Sequence, residues 1–113
     1  MFGIFNPKVA EISVDKVKKA LDAKEKVILL DVRTLGEVSR GKIAGSINIP
    51  LQEISSDVEK VIPDKKEKIY VYCLSGSRSA IATEEMVKLG YSNVFSVTNG
   101  ILAWRASHYP TTS

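Results

Sequence analysis

Ile69-Tyr70-Val71-Tyr72-Cys73-Leu74-Ser75-Gly76-Ser77-Arg78-Ser79 reads as a β-branched and aromatic strand that hands a cysteine to a turn of small residues. Ala80 to Leu89 then follows a helical pattern, with Gly90 placed to cap it. Strand, tight turn and helix in succession form one βα unit, and its neighbours decide what it belongs to. Upstream, Val27-Ile28-Leu29-Leu30 is a continuous apolar run that is too short for a helix; it ends at Asp31 and reads as a strand buried on both faces. Ser46-Ile47-Asn48-Ile49 makes another short strand closed by Pro50, and Asn93 to Val97 a further one.

Between the strands lie helical segments. Ser13 is placed as the N-cap of a helix from Val14 to Ala23, whose lysines form a solvated face. Leu51 to Ile62 has apolar residues at 51, 54, 58, 61 and 62 and is stopped by Pro63, and Gly100 to Ala106 makes a last helix. Residues 34–45, with Gly36, Gly41 and Gly45, read as irregular with at most a short helix, and Asp64 to Lys68 as a solvated turn. Strands that read as continuous runs and alternate with helices predict an α/β fold, a small parallel sheet of about five strands with helices on both faces. Ligands in such sheets gather outside the C-terminal ends of the strands, where Asp31 and Cys73 both stand.

The 113 residues, 44% hydrophobic and 26% charged, are read as one domain spanning 1–113. The net charge of +3 comes from 16 basic and 13 acidic residues, and twelve of the basic ones are lysines scattered among acids, so no nucleic-acid partner is expected. A single cysteine excludes an internal disulfide, a paired-cysteine redox motif and a cysteine-rich zinc site; no metal and no cofactor are implied. The opening Met1 to Phe5 is too short to be a signal-peptide core, and nothing later approaches a membrane span. The expectation is a cytoplasmic, thiol-reducing location. Phe2, Ile4 and Phe5 are apolar enough to dock on the domain or on a partner, and the sequence leaves that choice, like the oligomeric state, open.

The chemistry is concentrated in Cys73 to Ser79. Small residues let the backbone curl so that successive N–H groups face inward as an anion-binding nest, and the following helix adds its positive end. A sulfur held there is surrounded by donors that favour thiolate over thiol without a histidine base, and Arg78 adds a fixed positive charge. Taken singly, Cys73 reads as a small buried residue, Arg78 as a surface charge, and Ser75, Ser77 and Ser79 as turn and cap residues. Together, with Leu74 and Gly76, they read as an anion cradle.

These residues resemble the rhodanese-like sulfurtransferases over almost the whole chain. The resemblance rests on Asp31-Val32-Arg33 with Glu37, on Gly41-Lys42-Ile43-Ala44-Gly45-Ser46-Ile47-Asn48-Ile49-Pro50, on the Cys73–Ser79 loop, and on Asn99-Gly100-Ile101-Leu102-Ala103-Trp104. It implies a rhodanese fold and a catalytic Cys73 that takes a sulfane sulfur from thiosulfate or a persulfide, becomes a persulfide itself, and passes the sulfur to a thiol or cyanide. Leu74, Ser75, Gly76, Ser77, Arg78 and Ser79 would bind the substrate; the partners implied are a small sulfur-donor anion or persulfide and a thiol acceptor, either a small molecule or a partner protein. Three positions depart from the family's pattern. Lys42 stands where the family usually has histidine and Asn99 where it usually has glycine, which bears on packing and loop conformation. Leu74 stands where many members have an arginine, which removes one positive charge beside the sulfur and leaves room for a persulfide donor such as that of glutathione alongside dianionic thiosulfate.

The same fold is shared with phosphatases, and related dual-specificity phosphatases resemble this loop with five residues between cysteine and arginine. Here four separate Cys73 from Arg78, a tighter cradle that suits one sulfur atom better than a phosphoryl group. The alternative kept beside the enzyme is a non-catalytic regulatory or sulfur-carrier interaction module. Asp31 and Arg33 either brace the loop or form a local ion pair, the latter being preferred, and Glu37 is read as structural, paired with Arg33 or Arg40. Trp104, Ile101 and Met86 are assigned to packing, with a lesser reading that sets Trp104 at the pocket edge; His108 is given no role.

Overall fold

The computed structural model describes residues 9–113. Phe2, Ile4 and Phe5 lie outside them. Five parallel strands form one sheet in the order β1-β5-β4-β2-β3, from β1 (Glu11–Ile12), β2 (Ile28–Asp31), β3 (Ile47–Asn48), β4 (Ile69–Tyr72) and β5 (Val94–Val97). The helices are α1 (Val14–Asp22), α2 (Leu35–Val38), α3 (Ile54–Val61), α4 (Ser77–Lys88) and α5 (Gly100–Ala106).

The sheet is covered on both sides because its strands alternate between two apolar clusters. Ile69, Val71 and Cys73 point into a core with Leu30, Val32, Ile54, Val58, Ala82 and Met86, which α3 and α4 cover. Tyr70 and Tyr72 point the other way, into a core with Leu29, Val14, Val17, Ile101 and Trp104, which α1 and α5 cover. Successive strand residues face opposite layers, and with both layers apolar the strands read as runs without alternation.

Some boundaries differ from the sequence reading. The expected helix over 51–62 divides into a 3₁₀ turn at Leu51–Glu53 and α3, because Pro50 fixes an extended residue before a tight first turn. Helix α4 starts at Ser77, three residues before the expected Ala80, with the Gly76 carbonyl accepting from Ala80 N at 3.1 Å to close its first turn. Two-residue β1 was not expected at all. It exists through pairing with Ser96 and Val97 of β5, which no periodicity over two residues reveals. Ser13 does cap α1, its side chain accepting from Lys16 N at 3.2 Å.

Candidate active site

Cys73 follows the last residue of β4, the central strand, and is completely buried. The chain turns through Leu74 to Gly76, which adopts φ 112° and ψ −13° as the residue before α4. Only glycine takes that conformation without strain, and a Cβ there would also stand 3.3 Å from Asn99 N. The turn brings two main-chain donors to the sulfur: Gly76 N at 3.1 Å and Ser79 N at 3.4 Å from Sγ. The thiol in turn donates to Ser79 Oγ at 3.6 Å. That hydroxyl donates to the Gly76 carbonyl at 3.1 Å and lies 2.8 Å from the Oγ of buried Ser96. Ser75 is exposed, while Ser77 and Arg78 occupy the first turn of α4.

A second brace comes from α5. Ile101 N donates to the Cys73 carbonyl at 3.0 Å and Leu102 N to that of Leu74 at 3.1 Å, so the strand end is held by the helix N-terminus. The approach requires left-handed backbone at Asn99 (φ 60°) and Gly100 (φ 53°). A Cβ on Gly100 would lie 2.5 Å from the Leu74 carbonyl oxygen and 2.8 Å from its carbon, and also against the Cys73 carbonyl oxygen. Asparagine is among the few other residues that enter the left-handed region readily, which accounts for Asn99.

Arg78 turns its guanidinium to Glu37. The pair is bidentate, Nη1 to Oε1 at 2.6 Å and Nη2 to Oε2 at 2.9 Å, and joins the start of α4 to α2. This corrects the expected pairing of Glu37 with Arg33 or Arg40: 41 positions separate the two residues, and only the fold brings them together. Glu37 also serves its own helix, accepting from Thr34 N at 3.0 Å while Thr34 Oγ1 accepts from Glu37 N at 3.2 Å, a reciprocal capping box. The hydrogen bonds from Arg78 hold the Glu37 carboxyl down at about 2, and Glu37 raises Arg78 further in return.

Asp31 and Arg33 form a buried ion pair, with Arg33 Nη2 2.8 Å from Asp31 Oδ2 and Nε 3.0 Å from Oδ1. Arg33 also donates to the carbonyl oxygens of Gly41 at 2.8 Å and Glu37 at 3.4 Å, and its guanidinium lies 5.7 Å from the Tyr72 ring centroid. Burial works against the Arg33 charge, but the hydrogen bonds and charge of Asp31 outweigh it and raise its pKa. Tyr72 accepts from Ile43 N at 3.1 Å and meets Ser46 Oγ at 3.0 Å; burial pushes its phenol up to about 12. These contacts fasten residues 34–46 to the sheet, and they connect to the Cys73–Ser79 loop at one remove, through Glu37 and Arg78.

The remaining candidates are accounted for by packing. Met86, Ile101 and Trp104 are buried, and Trp104 Nε1 donates to the Pro110 carbonyl at 2.8 Å. His108 is exposed. Lys42 pairs through its backbone with Thr112, both bonds being 2.8 Å. Beside the loop is a cleft of about 120 Å³ lined by Glu11, Ser75, Gly76, Ser96, Thr98 and Asn99. A larger groove of about 390 Å³, between α1 and the sheet, contains none of the loop residues. Sequence reasoning missed Ser96, for which a lone hydroxyl in an apolar strand gives no signal. Among the described residues no group of His, Cys, Asp and Glu could hold a metal ion, and no helix is long and apolar enough to cross a membrane.

Comparison with known proteins agrees with this geometry. A rhodanese-like domain model matches residues 13–107. The putative sulfur carrier protein YrkF of Bacillus subtilis is 33% identical over 96 residues, covering 85% of this chain and 51% of that protein, so the chain spans about half of that relative. A sulfurtransferase of Allochromatium vinosum is 30% identical over 102 residues, covering 90% of this chain and 94% of that one. Among solved structures, a rhodanese-related protein from Thermoplasma volcanium superposes with a TM-score of 0.81 at 33% identity, covering 91% and 97% of the two chains. A cysteine presented by a parallel strand to a glycine-turned loop, in a chain matched from before α1 to beyond α5, makes this protein a member of the rhodanese-like family.

Proposed function

We propose that the protein is a sulfurtransferase that carries a sulfane sulfur as a persulfide on Cys73. The observation that carries this reading is the pair of amides, Gly76 N and Ser79 N, directed at the Cys73 sulfur. Fixed donors of this kind stabilise negative charge on sulfur, whether on the attacking thiolate or on the outer atom of the persulfide formed from it. The thiolate attacks the outer sulfur of the donor, the donor's S–S or S–SO₃ bond breaks with its electron pair on the leaving group, and a thiol or cyanide acceptor later removes the sulfur from Cys73. An unpaired thiol serving this chemistry suits a reducing compartment such as the cytoplasm. The relatives named as sulfurtransferase and sulfur carrier support the same class of chemistry.

The test is mass spectrometry of the intact chain after incubation with thiosulfate or with cysteine persulfide. Cys73 is expected to gain one sulfur atom, and Cys73→Ser to gain none; a wild-type chain that acquires sulfur from neither donor ends the proposal. A second reading, a non-catalytic interaction module, draws on the complete burial of Cys73. It predicts that Cys73→Ala preserves the biological role, whereas sulfur transfer requires the thiol.

A further inference from the structure

The positive charge nearest the start of the active-site helix is already matched. Arg78 places both terminal nitrogens on the carboxylate of Glu37, at 2.6 and 2.9 Å, and that carboxylate is held from its other side by Thr34 N at 3.0 Å and Thr34 Oγ1 at 3.2 Å. Glu37 is therefore tethered to its own helix whether or not a ligand arrives. The second buried guanidinium, Arg33, is equally committed to Asp31 and to two carbonyl oxygens. Asp31, Arg33, Glu37 and Arg78 together carry no net charge. The residue after Cys73 is the apolar Leu74, half-buried against the α5 side.

We infer that Glu37 is a specificity-determining residue that, by neutralising Arg78, selects an organic persulfide over dianionic thiosulfate as the sulfur donor. This rests on the sulfur-transfer reading of Cys73 and specifies its substrate class. Thiosulfate brings two negative charges to a site whose guanidinium is occupied, and binding there needs either the loss of the Glu37–Arg78 hydrogen bonds or acceptance of an unmatched dianion. An organic persulfide, R–S–SH, presents its transferable sulfur at the end of a group with at most one negative charge. The Cys73 thiolate forms a bond to that outer sulfur, the S–S bond breaks, and its electron pair leaves on RS⁻, which takes the proton shed by the new Cys73 persulfide. The amides of Gly76 and Ser79 suffice for the single charge on sulfur throughout. Two exposed leucines lie on the elements bonded to the loop, Leu35 (75% exposed) in α2, which carries Glu37, and Leu102 (50%) in α5, whose N–H donates to the Leu74 carbonyl.

The experiment compares cysteine persulfide and thiosulfate as donors to wild-type protein and to Glu37→Gln. Glutamine preserves the capping box with Thr34, so the variant keeps the local fold while releasing the Arg78 charge. Wild type is expected to load Cys73 with a higher kcat/KM from cysteine persulfide than from thiosulfate. In Glu37→Gln the ratio of thiosulfate to persulfide kcat/KM should rise by about tenfold, as one unmatched charge close to a second predicts, and the rise should shrink in high salt. Equal wild-type use of the two donors, or a ratio that stays put or falls in the variant, overturns the inference while leaving Cys73 as the sulfur carrier. Failure of both donors to load Cys73 removes the function itself, so the two failures are distinguishable.

Discussion

Gly100 is the residue on which the site's geometry turns most directly. Its absent side chain lets the first N–H groups of α5 reach the Cys73 and Leu74 carbonyls, and any Cβ would collide with main-chain atoms that have no room to retreat. Gly100→Ala combines a left-handed φ with a backbone clash, and should destabilise the protein by about 2–3 kcal/mol, seen as a fall in Tm of roughly 10 °C. Activity measured well below the new Tm should fall too, because the displaced carbonyls carry the cysteine with them. A Tm within a degree or two of wild type would contradict the steric account. The residue scale is also where the sequence was most and least informative. Cys73 and its small neighbours identify the loop by type alone, since few other roles call for serine and glycine between a strand and a helix. The partner of Arg78 was illegible, because a contact between positions 37 and 78 is a property of the folded chain and local spacing pointed to Arg33 or Arg40.

At the scale of elements, the last residues act as a strap. Thr112 pairs with Lys42, the Pro110 carbonyl accepts from Trp104, the Tyr109 ring meets the Trp104 ring edge-on at 5.1 Å, and the Tyr109 hydroxyl donates to Asp15 at 2.6 Å. The strap thus ties α1, α5 and the 34–46 segment together. Removal of residues 108–113 strips the cover from Trp104, the chain's single tryptophan, and should red-shift its fluorescence and lower Tm by about 5 °C or more. An unshifted emission maximum would show that the strap covers nothing of consequence. Sequence periodicity located α1, β2, β4, β5 and α5 to within a residue or so, because each presents apolar residues at a spacing that only one kind of element satisfies. It failed at β1, at the split before α3 and at the start of α4, where pairing across the sheet, a proline and a left-handed glycine set the boundary.

For the whole molecule, the Glu37–Arg78 pair is one of the bonds between the β2–β3 connection and the body of the domain, so its titration should appear in global stability. Glu37 has its carboxyl lowered from 4.5 to about 2 in the folded state. The sign is that of a depressed carboxylate: the contribution is fully present above about pH 4.5 and is lost as pH falls towards 2. Because the pair is partly solvated, about 1 kcal/mol is the appropriate scale. Denaturant unfolding of wild type and Glu37→Gln should differ by about that amount at pH 7, with the difference shrinking below about pH 4.5 and vanishing as pH falls to about 2; a pH-independent difference would assign the effect to something other than this charge. The α/β class was legible from the sequence because both faces of a central sheet must be apolar, and so was the local Asp31–Arg33 ion pair, two positions apart; the links from that pair to Tyr72 and Glu37, and from Glu37 to Arg78, required the fold before they could be seen.

The alternation of β4 between two cores has a further consequence. Ile69, Val71 and Cys73 share one layer and Tyr70 and Tyr72 the other, so the side on which the sulfur emerges is a matter of parity. Inserting or deleting a single residue within this strand would exchange the layers, sending the thiol toward α1 and α5 and the two phenol rings into the space that Val71 now fills. An extra residue in a segment such as 62–68 would instead alter a turn and leave the Cys73 sulfur where it is.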